Sequence, residues 1–456
     1  MNKHLVIIGA VAAGTKVASK VRREDENIKI TLYTKDEHIS YAGCGLPYYI
    51  SDDVKSKADL VVRTPDDFKA QHNIDINIKH EVTHIDTSSK EIYVKDLVKN
   101  TEFIVNYDTL VIATGARPFI PPIEGKDLKY VFNLRNVNDA VSIKNLIDSG
   151  NVNDVVIIGG GLIGMETAEA FHKRGLNVTV VELIDQILGP IDKDMADIVE
   201  EHCVQKGLTI LTSDGVKKIV GNSAGEVTKI ITNNAEIKTD MVLMSIGVRP
   251  NIEIAKEAGI EIGETKTIKV NSRMQTNIPD IYAAGDCVES MHIVTGKPVW
   301  IPLGSVANKQ GRVAAINITG GEAEFPGVAG SLIVKVFDLN VAKTGLSEKE
   351  ALKLGYNYEV VTIKGKDKAG YYPGNKNMTI KLLAEKESQK ILGCQIVGEG
   401  QVDKRIDVIV MALTSNMRLD DLINIDFAYA PPYSSAIEII VVAAMQLQSK
   451  MDKVSV

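Results

Sequence analysis

The feature that most constrains the fold is a strand, a glycine-rich turn and a helix that follow one another twice in the chain. The apolar run Leu5–Ile8 leads into Gly9-Ala10-Val11-Ala12-Ala13-Gly14, and the apolar run Val155–Ile158 leads into Gly159-Gly160-Gly161-Leu162-Ile163-Gly164. Strands without polar interruptions are typical of parallel sheets that are covered on both faces. The sequence therefore predicts two α/β units, each able to bind a nucleotide at its glycine-rich turn.

The second turn has the fuller nucleotide-binding pattern. Gly159, Gly161 and Gly164 match G-x-G-x-x-G, and Glu182 ends the next strand. Glycines allow close approach to a pyrophosphate, while an acid at that strand end binds a ribose hydroxyl and repels a 2′-phosphate. This pattern favours NADH over NADPH. The alternative is a turn that only packs its helix on the strand.

The first turn departs from the pattern. Val11 replaces the middle glycine, and Thr34 stands where a ribose-binding acid is expected, although Asp36 or Glu37 could substitute. Gly285-Asp286 follows an apolar strand and begins a helix, and an aspartate there suits the ribityl chain of a flavin, whereas alone it would indicate a plain turn. The predicted FAD contacts are Gly9, Ala12, Gly14, Thr114, Gly115, Gly285 and Asp286.

A solitary cysteine follows the first unit. Cys44 lies in Ser40-Tyr41-Ala42-Gly43-Cys44-Gly45-Leu46-Pro47, and the other cysteines, at positions 203, 287 and 394, form no close pair with it or with one another. A lone thiol can hold a disulfide, sulfenate or persulfide only with an outside sulfur or oxygen. Cys44 is therefore the predicted redox centre. No metal site is predicted, and a reducing cytoplasm is the expected compartment.

Charge and hydropathy exclude several functional classes. The formal net charge of -7 indicates a surface that repels nucleic acid and anionic membranes. The apolar run Ile437–Met445 is too short to span a bilayer. The N-terminal run Leu5–Ala13 could pass for a signal peptide, but its glycine spacing favours a buried first strand.

Taken together, the two glycine-rich turns, Cys44, Thr114-Gly115 and Gly285-Asp286 resemble the FAD-dependent pyridine nucleotide-disulfide oxidoreductases over essentially the full length. Within that family, three segments most resemble the coenzyme A-disulfide reductases: Tyr41–Tyr48, Ile301–Ser305 and Tyr429–Ser434. Similar proteins reduce persulfides or polysulfides, or oxidise NADH with oxygen.

The resemblance implies an α/β fold with two Rossmann-like domains, for FAD and NAD, and a C-terminal α+β dimerisation domain. We expect the FAD domain to comprise residues 1–118 and 245–323, with an NAD(P)H domain at 119–244 inserted between them. The dimerisation domain is expected at 324–456, with strands and one helix at Asp403–Ser415. The expected assembly is a homodimer.

Two sets of residues are candidates for substrate handling. Lys16, Lys20 and Arg23 share one face of the first predicted helix, which is either a solvated face or a phosphate-binding stripe. The resemblance implies that these cations hold coenzyme A together with Ser40 and Gly43. It also implies that Tyr371 and Tyr429 reach the active site of the partner subunit and protonate a leaving thiolate, although such tyrosines more commonly serve packing.

Some positions differ from the family pattern. Ala10 stands where flavin NADH peroxidases and related oxidases place a histidine, which argues against peroxidase chemistry. Gly43 replaces an asparagine of some coenzyme A-disulfide reductases, and Leu162 replaces an aromatic residue that covers the flavin in many relatives. These changes leave the sulfur substrate and the oxygen reactivity open.

The resulting hypothesis is an enzyme that passes electrons from NADH, or alternatively NADPH, through FAD and Cys44 to coenzyme A disulfide. Attack at neutral pH requires the pKa of the thiol to fall below its ordinary ~8.5, through a helix N-terminus, nearby cations or oxidised flavin. A persulfide or polysulfide reductase, an NADH oxidase and a flavin-bound redox sensor are the alternatives. We expect no appended sulfur-transfer domain, since the sequence ends at Val456, and this weighs against the persulfide alternative.

Overall fold

The computed structural model describes residues 3–454 and contains the two predicted parallel sheets. The first sheet has five parallel strands, in the spatial order Ile281–Ala283, Thr109–Ile112, His4–Ile8, Lys29–Tyr33 and Asp75–Asn77. The helix Ala12–Glu24 follows its central strand and packs against the helix Gly304–Ile318. The turn at Gly9 therefore lies at the carboxyl end of this sheet, where ligands of open α/β sheets bind.

The second sheet repeats this arrangement. Its five parallel strands have the spatial order Thr209–Leu211, Asn177–Val181, Asp154–Ile158, Met241–Met244 and Val131–Phe132. The helix Leu162–Lys173 follows the central strand, as the sequence predicted. Two similar sheets confirm the duplicated α/β architecture.

A short ribbon marks the place where the chain passes between the two sheets. The segments Ala116–Pro118 and Val248–Pro250 pair as antiparallel strands. The side-chain hydroxyl of Thr114 donates to the Asn251 carbonyl over 2.6 Å, and the Asn251 amide donates to the Thr114 carbonyl over 2.8 Å. The crossover is thus fixed by both backbone and side-chain hydrogen bonds. The domain boundaries after residues 118, 244 and 323 stay a prediction.

The C-terminal part is built on an antiparallel five-stranded sheet. Its spatial order is Leu332–Val336, Leu339–Gly345, Ile391–Gly398, Asn377–Glu385 and Tyr358–Lys366. The expectation of one helix here was wrong, because the structure has helices at Glu348–Leu354, Val402–Thr414, Leu419–Ile423 and Ile439–Val454. The last of these packs an apolar face on the sheet, which explains the apolar run that begins at Ile437.

The remaining elements are short or connect the three sheets. Two three-stranded antiparallel sheets comprise His80–Asp86, Glu91–Asp96 and Thr101–Asn106, and Val216–Gly221, Val227–Thr232 and Glu236–Lys238. A two-stranded ribbon comprises Ser290–Met291 and Pro298–Val299. The other helices are Gly43–Gly45 (a 3-10 turn), Leu46–Ile50, Lys57–Leu60, Pro65–His72, Val137–Asp148, Lys193–Gln205 and Glu253–Glu257. Within residues 3–454, no helix combines the length and apolar character needed to cross a membrane.

Candidate active site

Cys44 is held over the first glycine-rich turn. The segment before it is anchored to that turn by a hydrogen bond from the Ser40 amide to the Ala10 carbonyl of 2.9 Å, and to a neighbouring helix by one from the Ala42 amide to the Leu60 carbonyl of 2.8 Å. Cys44 itself lies in the 3-10 turn that leads into the helix Leu46–Ile50, and it is exposed. The sulfur is therefore fixed beside the predicted flavin site and is open to an incoming reagent.

The electrostatic surroundings of the sulfur differ from expectation. Desolvation by the adjoining protein raises the pKa of the Cys44 thiol, Glu166 and Asp286 raise it further, and Arg135 acts in the opposite direction. The sequence-based requirement for a lowered pKa is thus not met by the polypeptide's own charges. The main reason is that burial disfavours the thiolate, and two carboxylates from distant parts of the chain add to this effect.

Glu166 and its partner Tyr48 were given no role by the sequence. The Tyr48 hydroxyl donates to Glu166 Oε1 over 3.2 Å and joins the helix after Cys44 to the helix Leu162–Lys173. Burial raises the pKa of Glu166, and burial with the neighbouring Glu166 charge raises the pKa of Tyr48 to about 12. The sequence did contain one signal for Glu166, because this residue lies two positions after Gly164, the last glycine of the second motif.

The residues predicted to contact FAD include two glycines that backbone packing requires. A Cβ at Gly9 would overlap the Ala113 carbonyl oxygen, and a Cβ at Gly14 would overlap the Gly9 carbonyl oxygen. Gly9 also has a φ of +108°, which side chains rarely adopt. The helix that starts at Ala12 consequently approaches the sheet closely and presents its first amides at the turn.

Asp286 provides the test of whether this turn fits FAD. Burial raises the pKa of its carboxyl, which Arg135 lowers, and the carboxylate accepts no hydrogen bond from residues 3–454. A half-buried carboxylate without partners is unfavourable unless a ligand supplies donors, and a polyhydroxyl ribityl chain does so. Gly285, Thr114 and Gly115 lie at neighbouring strand ends, with the Thr114 hydroxyl already bound to Asn251. The residues present therefore fit the group.

The second turn has the geometry of a dinucleotide site. Cβ atoms at Gly159 and Gly164 would overlap the carbonyl oxygens of Ser245 and Gly159 respectively, whereas within the described chain one at Gly161 would meet nothing within 4 Å. Glu182 Oε2 accepts a hydrogen bond of 2.7 Å from the Gly160 amide, which places the acid directly beside the turn. The open space at Gly161 fits a pyrophosphate.

The predicted cationic stripe is found on the helix Ala12–Glu24. Lys16 and Lys20 are half-buried and Arg23 is exposed, with Lys20 paired to Glu24. Arg22, which precedes Arg23 on this helix, donates to carbonyl oxygens including those of Ile28 and His72. It is therefore a structural residue.

A further cation lies near this helix. Arg63 Nη1 is 3.1 Å from His72 Nε2, and the pKa of His72 is lowered by burial and by Arg63, Arg23 and Arg22. His72 thus lies among arginines. Arg63 was missed because it is far from the helix in sequence.

The two predicted catalytic tyrosines come together. Tyr371 and Tyr429 are 77% and 48% exposed, and the neighbouring Tyr429 phenol is the main cause of a raised pKa of Tyr371. Tyr429 also lines an open cavity of about 530 Å³. Two exposed phenols close together are suited to meeting a ligand or another subunit.

The other cysteines are inert by position. Cys203, Cys287 and Cys394 are all buried, and burial raises the pKa of each thiol. Within residues 3–454, no cluster of histidine, cysteine or acidic side chains is arranged to hold a metal ion. Of the four cysteines, all within the described residues, Cys44 alone is open to an incoming reagent.

Comparison with known proteins gives the family. Residues 3–311 match the family described as pyridine nucleotide-disulphide oxidoreductase, and residues 332–440 match its dimerisation domain. The chain is 41% identical over 448 residues to an NADH oxidase of Methanocaldococcus jannaschii, covering 98% of this chain and 99% of that protein. It is 40% identical over 447 residues to a CoA-dependent NAD(P)H sulfur oxidoreductase of Pyrococcus furiosus, with the same coverage.

Two further relatives are similar over nearly the full length of the chain. A coenzyme A disulfide reductase of Staphylococcus haemolyticus is 31% identical over 435 residues, covering 95% of this chain and 96% of that protein. The solved structure of an NAD-dependent persulfide reductase from A. fulgidus superposes with a TM-score of 0.96 at 42% identity, covering 99% of this chain and 84% of that one. With its two nucleotide turns and solitary exposed thiol, this chain belongs to the pyridine nucleotide-disulphide oxidoreductases, a family of FAD-dependent enzymes that use NAD(P)H.

Proposed function

We propose that this flavoprotein uses NADH to reduce coenzyme A disulfide at Cys44. The observation that carries the proposal is one exposed thiol held over the first glycine-rich turn in a chain whose other thiols are buried. Gly9, Ala12, Gly14, Thr114, Gly115, Gly285 and Asp286 would hold FAD, while Gly159, Gly161, Gly164 and Glu182 would hold the dinucleotide. Glu182 supports NADH over NADPH, because its carboxylate would repel a 2′-phosphate.

FAD, when bound, supplies the two-electron link between the nicotinamide and the sulfur. The thiolate of Cys44 attacks one sulfur of the substrate disulfide, whose S–S bond breaks, so that one coenzyme A thiolate leaves and a mixed disulfide forms. Two electrons then break the mixed disulfide, which restores the Cys44 thiolate and releases the second thiolate. Each departing thiolate takes up one proton.

The residues that surround the sulfur have separate tasks. Arg135 favours the thiolate of Cys44, whereas Glu166 and Asp286 favour the thiol. Ser40 and Gly43 flank the nucleophile, and Lys16, Lys20 and Arg23 supply cations for substrate phosphates. The Arg63–His72 contact extends the cationic surface and supports a phosphate-bearing thiol over a small disulfide.

Tyr371 and Tyr429 are proposed to act in a homodimer, formed through the dimerisation domain, as proton donors at the partner subunit's active site. Their exposure and mutual proximity support this role, since a phenol that reaches a leaving thiolate can donate a hydrogen bond or a proton to it. The expected compartment is the cytoplasm, where free thiols stay reduced.

A persulfide of coenzyme A is the second candidate substrate. Its support is the likeness to the persulfide reductase and to the CoA-dependent sulfur oxidoreductase. The same thiol and cations would serve, with hydrosulfide as the leaving group. An NADH oxidase activity is the third candidate, supported by the relative of that name.

The deciding experiment is anaerobic NADH consumption by the purified holoenzyme with coenzyme A disulfide, coenzyme A persulfide, polysulfide and glutathione disulfide. We expect coenzyme A disulfide to have the highest kcat/KM and glutathione disulfide the lowest. The combined variant Lys16→Ala, Lys20→Ala and Arg23→Ala should lose this preference, while the matched control Lys69→Ala keeps it. Rapid turnover with glutathione disulfide, or none with any acceptor, would contradict the proposal.

A further inference from the structure

Arg405 is a buried cation that the proposed chemistry does not use. It lies on the helix Val402–Thr414 and is 1% exposed. Its Nε donates to Glu438 Oε1 over 2.6 Å, and its Nη2 donates to Glu438 Oε2 over 3.1 Å. This is a two-pronged arginine–carboxylate pair enclosed by protein, and such a pair fixes geometry more strictly than a lysine does.

The same guanidinium also reaches the loop that carries Tyr371 and the start of its own helix. Arg405 Nη2 donates to the Asp367 carbonyl over 2.6 Å, and Nη1 donates to the Gln401 carbonyl over 3.0 Å. Asp367 closes this loop, since its amide donates to the Lys376 carbonyl over 3.0 Å and its carboxylate accepts from the Lys376 amide over 2.7 Å. Arg405 therefore holds the base of the loop 367–376.

The carboxylate partner belongs to the segment that carries Tyr429. Glu438 ends the irregular stretch 428–438, and its Oε1 also accepts a hydrogen bond of 3.0 Å from the Ile439 amide at the start of the last helix. One buried pair thus ties together the two segments that bear Tyr371 and Tyr429. The two phenols lie close enough for Tyr429 to raise the pKa of Tyr371, and both remain in contact with solvent.

Two exposed side chains on irregular segments keep a fixed mutual geometry only if the bases of their segments are fixed. An apolar side chain at position 405 could fill the same volume, but it could not bond the Asp367 carbonyl and the Glu438 carboxylate at once. We propose that Arg405 and Glu438 are a positioning pair that sets the Tyr371–Tyr429 phenols for proton donation to the departing thiolate. This inference rests on the proposed function of the two tyrosines.

The test compares Arg405→Lys, Tyr429→Phe and the double variant in the dimeric holoenzyme. Lysine keeps the charge but lacks the planar fork. Because small misplacements of catalytic groups cost up to about a hundredfold, we expect Arg405→Lys to lower kcat with coenzyme A disulfide by about tenfold. Bleaching of the flavin by NADH, which does not involve the tyrosines, should be unchanged. The double variant should be no slower than Tyr429→Phe alone, since both changes remove the same contribution.

Hydrogen exchange gives a readout independent of turnover. Arg405→Lys should speed exchange in residues 367–376 and 428–438 together, without changing it in the helix Leu162–Lys173. Lys343→Gln, which breaks the Lys343–Glu350 pair in the same domain, is the control and should alter neither segment. If Arg405→Lys does not fold, Glu438→Gln takes its place in the same comparison. Glutamine keeps the shape of the Glu438 side chain and removes its charge.

Four results would overturn the inference. Additive losses in the double variant would assign Arg405 a general role in stability, and so would equal losses in flavin bleaching and acceptor turnover. If Tyr429→Phe and Tyr371→Phe both keep full turnover, the proposed role of the tyrosines fails and the positioning role fails with it. Loss of turnover in the tyrosine variants alone, with Arg405→Lys unaffected, rejects the positioning role but leaves the proposed function intact.

Discussion

The two glycine-rich turns share their backbone and differ in the residues that face a ligand. Gly9 and Gly159 have φ values of +108° and +103°, and a Cβ at either would overlap a carbonyl oxygen of a neighbouring strand. The middle position is Val11 in one turn and Gly161 in the other. After the next strand, the first unit has Thr34 where the second has Glu182.

This difference shows which part of the motif serves the fold. The outer glycines are required by close packing of strand and helix, whatever the turn binds, so they would persist in a turn without a ligand. In the second turn, a Cβ at the middle glycine would meet nothing within 4 Å in the described chain, and the strand-end acid lies beside the turn, so both positions are free to follow the ligand. In the first unit, which lacks this acid, we expect Asp286 from a remote strand to bind the ribityl chain of the flavin.

The largest effect is expected at the residue that only the first unit provides. Cys44→Ser should lower acceptor reduction by at least about 10³-fold, because serine oxygen cannot form the mixed disulfide. Reduction of the flavin by NADH, the task of the second unit, should continue. Steady-state and stopped-flow assays separate the two. Cys394→Ala is the control, and acceptor reduction that survived Cys44→Ser would refute the assignment of Cys44.

Outer and middle glycines should respond differently to alanine. Gly9→Ala should destabilise the protein by about 3 kcal/mol, through positive φ and overlap with the Ala113 carbonyl, and should reduce the FAD content. Gly161→Ala should leave stability unchanged but raise the KM for NADH, because its Cβ would occupy the predicted pyrophosphate space. Urea unfolding measures the stability of Gly9→Ala, and flavin absorbance measures its FAD content.

Gly150→Ala is the matched control for backbone strain, since Gly150 has a φ of +73° but a Cβ there would meet nothing within 4 Å in the described chain. It should cost about 1 kcal/mol. Equal destabilisation by Gly9→Ala and Gly161→Ala would remove the distinction drawn between the positions.

The strand-end acid should decide dinucleotide preference. Glu182→Ala should raise the KM for NADH about tenfold, since a hydrogen bond from a ribose hydroxyl to a charged group contributes about 1.5–3 kcal/mol. The KM for NADPH should stay level or fall, because the repulsion of the 2′-phosphate is removed. Glu236→Ala, on an exposed strand of the same unit, is the control. An unchanged NADH-to-NADPH ratio would place the ribose elsewhere.

The smallest effect concerns the charge that the second unit presents to the first. Glu166 raises the pKa of the Cys44 thiol. Glu166→Gln removes a negative charge that opposes the thiolate, so the pH midpoint of alkylation by iodoacetamide should move down and the rate at pH 7 should rise. The increase should stay below about tenfold, which corresponds to one pKa unit. Flavin-free protein is used, and a midpoint that moves up would contradict this geometry.

Much of the architecture was predictable from local patterns. Both sheets, both turns and the isolation of Cys44 follow from apolar runs and glycine spacing, which are short-range constraints. The helices of the C-terminal part were undercounted, since the apolar run from Ile437 was weighed only as a membrane segment and not as one face of a core helix. Ser347 and Glu350 form a capping box at the first of these helices, a start signal that was present in the sequence and was missed.

The sequence by itself determined the two nucleotide units and the single reactive sulfur, because glycine conformation, strand hydropathy and cysteine spacing act within a few residues. Only the tertiary structure decided that Glu166, Asp286 and Arg135 surround Cys44, and that Arg405 joins the segments of Tyr371 and Tyr429. These groups are far apart in the chain and have no periodic pattern. Their meeting depends on how whole domains and loops pack, which sets the burial and the charge that each side chain experiences.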